Sequence, residues 1–238
     1  MRFRLPLGRT LFFVCAFLFS LVALLPLRLA LDWLSLDDRG FAAREAKGSV
    51  WLGGLSEAQL GSVALGDLQA SLRTLPLLIG RARVDLRRDE ETDRFEGGAS
   101  VSRNSFGIED VTARLDIGSA FAPLPIGSVD LSDVTARFAD GQCAAAEGMV
   151  KASVAGEIAG LTLPAGLSGN ARCAEGAVLL PLVSQTGMEA LNIRLFPEGR
   201  YEVELAVRPV DDVMRDRLIA AGFMLTNSGY AMKATGTF

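Results

Sequence analysis

Histidine is absent from the 238 residues. That excludes Ser-His-Asp and Cys-His catalysis, histidine-ligated zinc or haem, and an imidazole switch near neutral pH. The sequence also lacks a G-x-S-x-G elbow, a Walker loop, a G-x-G-x-x-G after a strand and an H-E-x-x-H helix. Cysteine is scarce, at three residues, and two thiolates alone make no zinc site. Acidic residues are missing from the first 31 positions, which hold Arg2, Arg4, Arg9 and Arg28. The other 207 residues carry 20 basic and 28 acidic groups, so their net charge is −8 against −4 for the whole chain. Bulk electrostatics therefore disfavour nucleic acid or anionic head groups as partners of the body. No catalytic, metal-binding or cofactor-binding residue stands out, and no small-molecule substrate is expected.

What the N-terminus does have is an uncharged run. Thr10 to Leu27 reads TLFFVCAFLFSLVALLPL, 18 residues after three arginines. As a helix it would span about 27 Å, close to the ~30 Å hydrocarbon core of a bilayer. It is longer than an ordinary signal-peptide apolar region, and no small-x-small cleavage site occurs between Thr10 and Ser35. The expected organisation is a cytoplasmic tail over 1–9, a transmembrane anchor over 10–31 and a periplasmic domain over 32–238. A cleaved signal peptide is the competing reading. The charge bias that sets orientation is weak, because Arg28, Arg39, Arg44 and Lys47 follow the span. The denser basic tail favours a cytoplasmic N-terminus. Cys15 lies inside the span, whereas Cys143 and Cys173 form an even pair in the body. In an oxidising periplasm they are expected to bridge, with buried free thiols as the alternative. Closing that separation stabilises a fold by about 3.5 kcal/mol on the loop-entropy estimate.

Past Leu31 the apolar period is two. Val111–Ile117, Val129–Ser132, Val134–Phe138, Leu191–Leu195 and Tyr201–Val207 each alternate aliphatic with Thr, Arg, Asp or Glu. This is the pattern of antiparallel strands with one packed and one wet face. Phe196-Pro-Glu-Gly-Arg200 supplies turn residues between the last two. Asp110-Val-Thr-Ala-Arg114 recurs as Asp133-Val-Thr-Ala-Arg137, with Leu68–Arg73 a looser copy, which suggests neighbouring strands in the same environment. Only Asp211–Ala221 looks helical beyond the anchor. It starts after Pro209, stops at Gly222, and carries Val210, Val213, Met214, Leu218 and Ala221 on one stripe. The acidic stretch Asp89–Asp93 is read as a solvated hairpin tip, since adjacent strand carboxylates point to opposite faces. The fold class is mainly β: an antiparallel body, either one long twisted sheet or a two-layer sandwich, with one short C-terminal helix.

Gly48-Ser-Val-Trp51-Leu-Gly53 reads as a strand with a buried tryptophan anchor. Leu65-Gly-Asp-Leu68, Leu75-Pro-Leu-Leu-Ile-Gly80, and two cysteines each followed by glycine (Gly148 and Gly176) come next. The C-terminal part has Gly199-Arg-Tyr201, Val207-Arg-Pro209, Gly222, Gly229-Tyr230 and Gly236-Thr-Phe238. In this order and spacing the chain resembles the bacterial type II secretion system protein N family. Residues 85–140 show little that aligns, and a tryptophan usual after the Leu-Gly-x-Leu step is absent. The resemblance implies an accessory, non-enzymatic component of the secretion machinery in the inner membrane, whose periplasmic domain contacts other subunits. Its structural signature would be Gly48, Trp51, Gly53, Tyr201, Pro209, Gly222, Tyr230 and Gly236. A periplasmic β-groove that carries lipids or amphiphiles between membranes fits the same alternation.

Overall fold

The computed structural model describes residues 7–29, 40–88, 94–118, 120–124, 126–154, 157–158, 161–162 and 166–237. Most of the expected tail, the end of the expected anchor, the acidic stretch 89–93 and Phe238 lie outside the described residues.

Helix α1 runs from Leu7 to Ala23. It ends where Pro26 dictates: proline has no N–H to continue the ladder and disfavours helical geometry in the residue before it. The expected span of 10–31 is therefore divided, with residues 10–23 in α1, Leu25–Pro26 outside it and residues 27–29 helical again. No helix among the described residues is long and apolar enough to cross a membrane.

The body is one antiparallel meander. β1 (Phe41–Ala42) and β2 (Glu45–Gly48) both pair with β3 (Gly53–Leu60). There follow β4 (Val63–Leu72), β5 (Ala82–Arg88), β6 (Phe95–Val101), β7 (Ser105–Asp116), β8 (Ile126–Ala139) and β9 (Gln142–Val154). β10 (Glu157–Ile158) and β11 (Leu161–Thr162) form a ladder of their own. β12 (Leu167–Asn170), β13 (Arg172–Ala174), β14 (Ala177–Val183), β15 (Glu189–Leu195), β16 (Arg200–Val207), β17 (Met224–Thr226) and β18 (Gly229–Thr237) complete a 16-stranded sheet. Of the two expected architectures, a single long sheet is the one observed. It curls on itself, because the β7–β8 connection reaches β16, five strands away from β8 in ladder order.

Alternation sorts the side chains as expected. On β7 Val111 and Ala113 are buried while Thr112 and Arg114 are exposed, and on β16 Tyr201, Val203 and Leu205 are buried. The aliphatic faces of the later strands fill the core: Val150, Leu182, Leu191 and Val207 are all 0 % exposed.

The repeated Asp-Val-Thr-Ala-Arg has a physical basis. Val111 faces Val134 across β7–β8. The two preceding aspartates, Asp110 and Asp133, sit in the left-handed region, at φ 54° each. Asp110 N–H donates to Thr135 Oγ1 (3.1 Å) and Asp133 N–H to Thr112 Oγ1 (3.0 Å). Each copy thus supplies a bulged aspartate and the threonine that receives the other copy's freed N–H. Val129–Ser132 and Val134–Phe138, two separate runs in the sequence, become one 14-residue strand through this bulge.

Among the described residues from 40 onward there are two helices. α2 (Thr74–Leu77) is a single turn that no periodicity could reveal, with Pro76 tolerated because the first turn needs no N–H partner. α3 (Asp212–Ala220) begins at Asp211, whose carboxylate accepts from Met214 N–H at 2.6 Å. It ends in a Schellman motif: Gly222 N–H donates to Ile219 O, Phe223 N–H donates to Leu218 O, and Phe223 and Leu218 are buried. The expected stripe is narrower than the sequence suggested. Leu218, Met214 and Ala221 pack inward, but Val210 and Val213 are exposed.

Candidate functional site: the helix exit and the Ser49–Leu52 hairpin

The signature residues fall into three groups. Gly48, Trp51 and Gly53 surround the tip of the β2–β3 hairpin, with Gly48 and Gly53 as its last pair. The four residues between them form a tight turn, in which Ser49 N–H donates to Leu52 O and Leu52 N–H to Ser49 O, both at 3.2 Å. Trp51 is therefore at a turn, half-buried, and not in a strand with a fully buried ring.

The tip is fastened to the end of α1. Val50 N–H donates to Leu25 O (3.0 Å), Pro26 and Ser49 form an isolated bridge, and Leu72 N–H donates to Val50 O (3.0 Å). Trp51 Nε1–H donates to Val22 O at 3.1 Å. In a continuing helix that carbonyl would accept from residue 26, which is proline and has no N–H. The indole thus helps satisfy an acceptor that Pro26 leaves open, alongside Leu25 N–H at 3.3 Å. Leu27 and Val50 are buried beneath. A Cβ on Gly53 would come within 2.5 Å of Leu27 Cδ2 and 2.9 Å of Ser49 O, so glycine there lets the helix exit lie against the hairpin.

The second group is Tyr201 with Gly236. They are cross-strand partners on β16 and β18, and a Cβ on Gly236 would overlap the Tyr201 hydroxyl. With that space open, Tyr201 lies across β18 and donates to Ala120 O (2.6 Å), with Phe121 edge-on at 5.1 Å. The third group brackets α3: Pro209 lies just beyond β16, Gly222 closes the helix at φ 92°, and Tyr230 is half-buried on β18 opposite Val207. The structure does not gather the three groups into one cleft.

Beside the hairpin, β5 carries a charged cluster. Arg83 pairs with Asp85 (3.2 Å), Asp110 (3.0 Å) and Glu109, Arg73 pairs with Asp85, and Ser100 Oγ donates to Glu109 (2.7 Å). Burial disfavours the Arg83 cation, but hydrogen bonds to Asp110 and Asp85 and the charge of Glu109 raise its pKa above the usual arginine value. These are mutually satisfied ion pairs. Among the described residues no group of three or more His, Cys, Asp or Glu could hold a metal ion.

Cys143 and Cys173 form a disulfide, with 5.6 Å between their Cα atoms, tying the start of β9 to β13. Cys15 is free and exposed on α1. Sequence reasoning missed Val22, Leu25, Leu27 and Val50 as the partners of the tryptophan motif. The one available signal was Pro26, four residues after Val22.

Comparison with known proteins agrees with the order of motifs. The family model described as "Type II secretion system (T2SS), protein N" matches residues 39–230. No significant match is found among curated proteins or among solved structures. The matched region takes in the Gly48–Gly53 hairpin, the disulfide, Tyr201 and α3, and the chain belongs to the type II secretion system protein N family, as a component of that secretion system.

Proposed function

We propose that the chain is an accessory structural component of the secretion machinery, anchored in the bacterial inner membrane through residues 10–31 with its body, 32–238, in the periplasm. The observation that carries this reading is α1. Leu11, Phe12, Phe13, Phe17 and Phe19 are all exposed on it, so its sides are apolar all round and unpacked against the body. Such a helix is at home in hydrocarbon. Its uncharged part, Thr10–Ala23, is about 21 Å long, and the Leu24–Leu27 exit together with local thinning would make up the remaining ~9 Å of the core. The Cys143–Cys173 bridge suits an oxidising compartment.

The partners are the other secretion subunits, and the C-terminal edge of the sheet is where they would bind. β17 covers only residues 229–231 of β18, so the outer edge of 232–237 has no strand partner among the described residues. Met224 and Leu225, beside that edge, are exposed. An open edge flanked by apolar side chains accepts an added strand. The signature residues then act through folding and docking, with no turnover attached to them.

Leu225→Lys tests this reading. It alters an exposed side chain and should leave folding within about 0.5 kcal/mol of the parent. In cells of the native host it is expected to keep the protein level and reduce both cross-linking to the inner-membrane secretion subunits and export of secreted proteins. Unchanged cross-linking and export would remove this edge as the contact.

A further inference from the structure

We infer that the Ser49–Leu52 tip and the Thr74–Gly80 loop form a second membrane contact, dipping into the leaflet from which α1 emerges. The inference rests on the anchored reading above and extends it to the body.

Four large aliphatic side chains stand out here: Leu52, Leu75, Leu78 and Ile79 are each between 78 % and 84 % exposed. They come from two connections, but the hydrogen bonds place them together at the helix exit. Val50, two residues before Leu52, is held by Leu25 on one side and by Leu72 on the other. Leu72 ends β4, and the loop begins at the next residue but one. The loop is also not slack. Leu78 N–H donates to Leu75 O, Gly80 N–H to Leu77 O and Arg81 N–H to Pro76 O, while Arg73 N–H donates to Arg83 O at its base. A compact loop held in this way keeps its leucines outside the core.

An exposed apolar cluster of this kind marks an interaction surface, and its position names the occupant. The chain beneath it runs through Leu25 into the bare apolar helix α1, so the lipid that surrounds the end of α1 is the medium next to these side chains. The flanking residues fit the same boundary. Arg81 closes the loop and Arg28 follows the helix exit, where guanidinium groups meet lipid phosphates, while Arg73 at the base of the loop is paired with Asp85. Trp51, with its indole N–H tied to Val22 O, sits where tryptophan concentrates in membrane proteins. This is a local arrangement of arginines, distinct from the acidic charge of the body as a whole. It would fix the tilt of the sheet relative to the bilayer, which one helix alone leaves free.

The test uses the full chain with Cys15→Ser and the native disulfide intact, reconstituted in vesicles of phosphatidylethanolamine and phosphatidylglycerol. Single cysteines introduced as Leu78→Cys, Phe17→Cys or Ser62→Cys carry an environment-sensitive fluorophore. Ser62 is exposed in the turn at the opposite end of the β3–β4 hairpin and is the aqueous control. The expected result is blue-shifted emission at 78, lost to spin-labelled lipid and resistant to iodide, with the reverse at 62. A probe at 78 quenched by iodide while 17 is quenched by lipid overturns the second contact and leaves the anchor standing. Iodide quenching at both 78 and 17 overturns the anchor as well. A probe at 78 shielded from both quenchers means that protein covers the loop, which also overturns the lipid contact.

Discussion

Replacing Trp51 separates its two contributions to the helix–hairpin junction. Trp51→Phe keeps a ring in the half-buried site but removes the N–H that donates to Val22 O at 3.1 Å. Leu25 N–H still reaches that carbonyl at 3.3 Å, so the loss should be that of one ordinary hydrogen bond, about 1 kcal/mol. Trp51→Ala removes the packing too. A fully buried aromatic loses about 3–5 kcal/mol on truncation; half of that, with the hydrogen bond, gives about 3 kcal/mol. Urea unfolding of the detergent-solubilised full chain, followed by circular dichroism, measures both, with the slope unchanged if the denatured state is unaffected. Amide exchange at Val50 should rise in both variants, because its N–H is bonded to Leu25 O. A phenylalanine variant as stable and as protected as the parent would refute the capping argument. One as damaged as the alanine variant would refute the packing argument.

Other consequences follow from the same contacts. Thiol labelling of unreduced, denatured protein should modify Cys15 alone, and reduction should cost about 3.5 kcal/mol of stability; labelling of Cys143 or Cys173 would contradict the bridge. Thr112→Val and Thr135→Val each remove the acceptor of one exposed aspartate N–H, so each should cost about 0.5–1 kcal/mol by denaturant unfolding, and a neutral result would remove the reciprocal lock. Gly236→Ala should displace Tyr201 from Ala120 O and cost about 1–3 kcal/mol. Adding Tyr201→Phe to it should then cost little more, whereas additive losses would mean that the two positions act independently.

What could be read from the sequence was local. Period-two alternation located β7, β15 and β16, and the spacing of proline, acids and glycine located α3 within a residue at each end. The cysteine pair was legible because only two cysteines lie outside the apolar segment. What failed to show was decided by contacts distant in sequence. Trp51 looks like a core residue because its environment comes from Val22 and Leu25, 29 and 26 positions earlier, and no local pattern encodes a hairpin docking on a helix end. Val210 and Val213 fit an apolar stripe, yet the helix turns them outward, since only Met214, Leu218 and Ala221 reach the core. Identical five-residue repeats announced neighbouring strands, but the left-handed aspartates that make the repeat useful became visible only in the paired sheet.

The central claim is that the chain works by holding a β-rich body at the membrane, so the most direct measurement exchanges the anchor. In cells lacking the chain, export of type II substrates is measured after supplying three forms: the parent, a form with residues 7–21 replaced by an unrelated apolar helix, and a form with a cleavable signal peptide that releases the body. Residues 22–27 are retained in the second, to preserve the contacts of Trp51 and Val50. The account predicts export restored by the first two and not by the released body. Full restoration by the released body would contradict it.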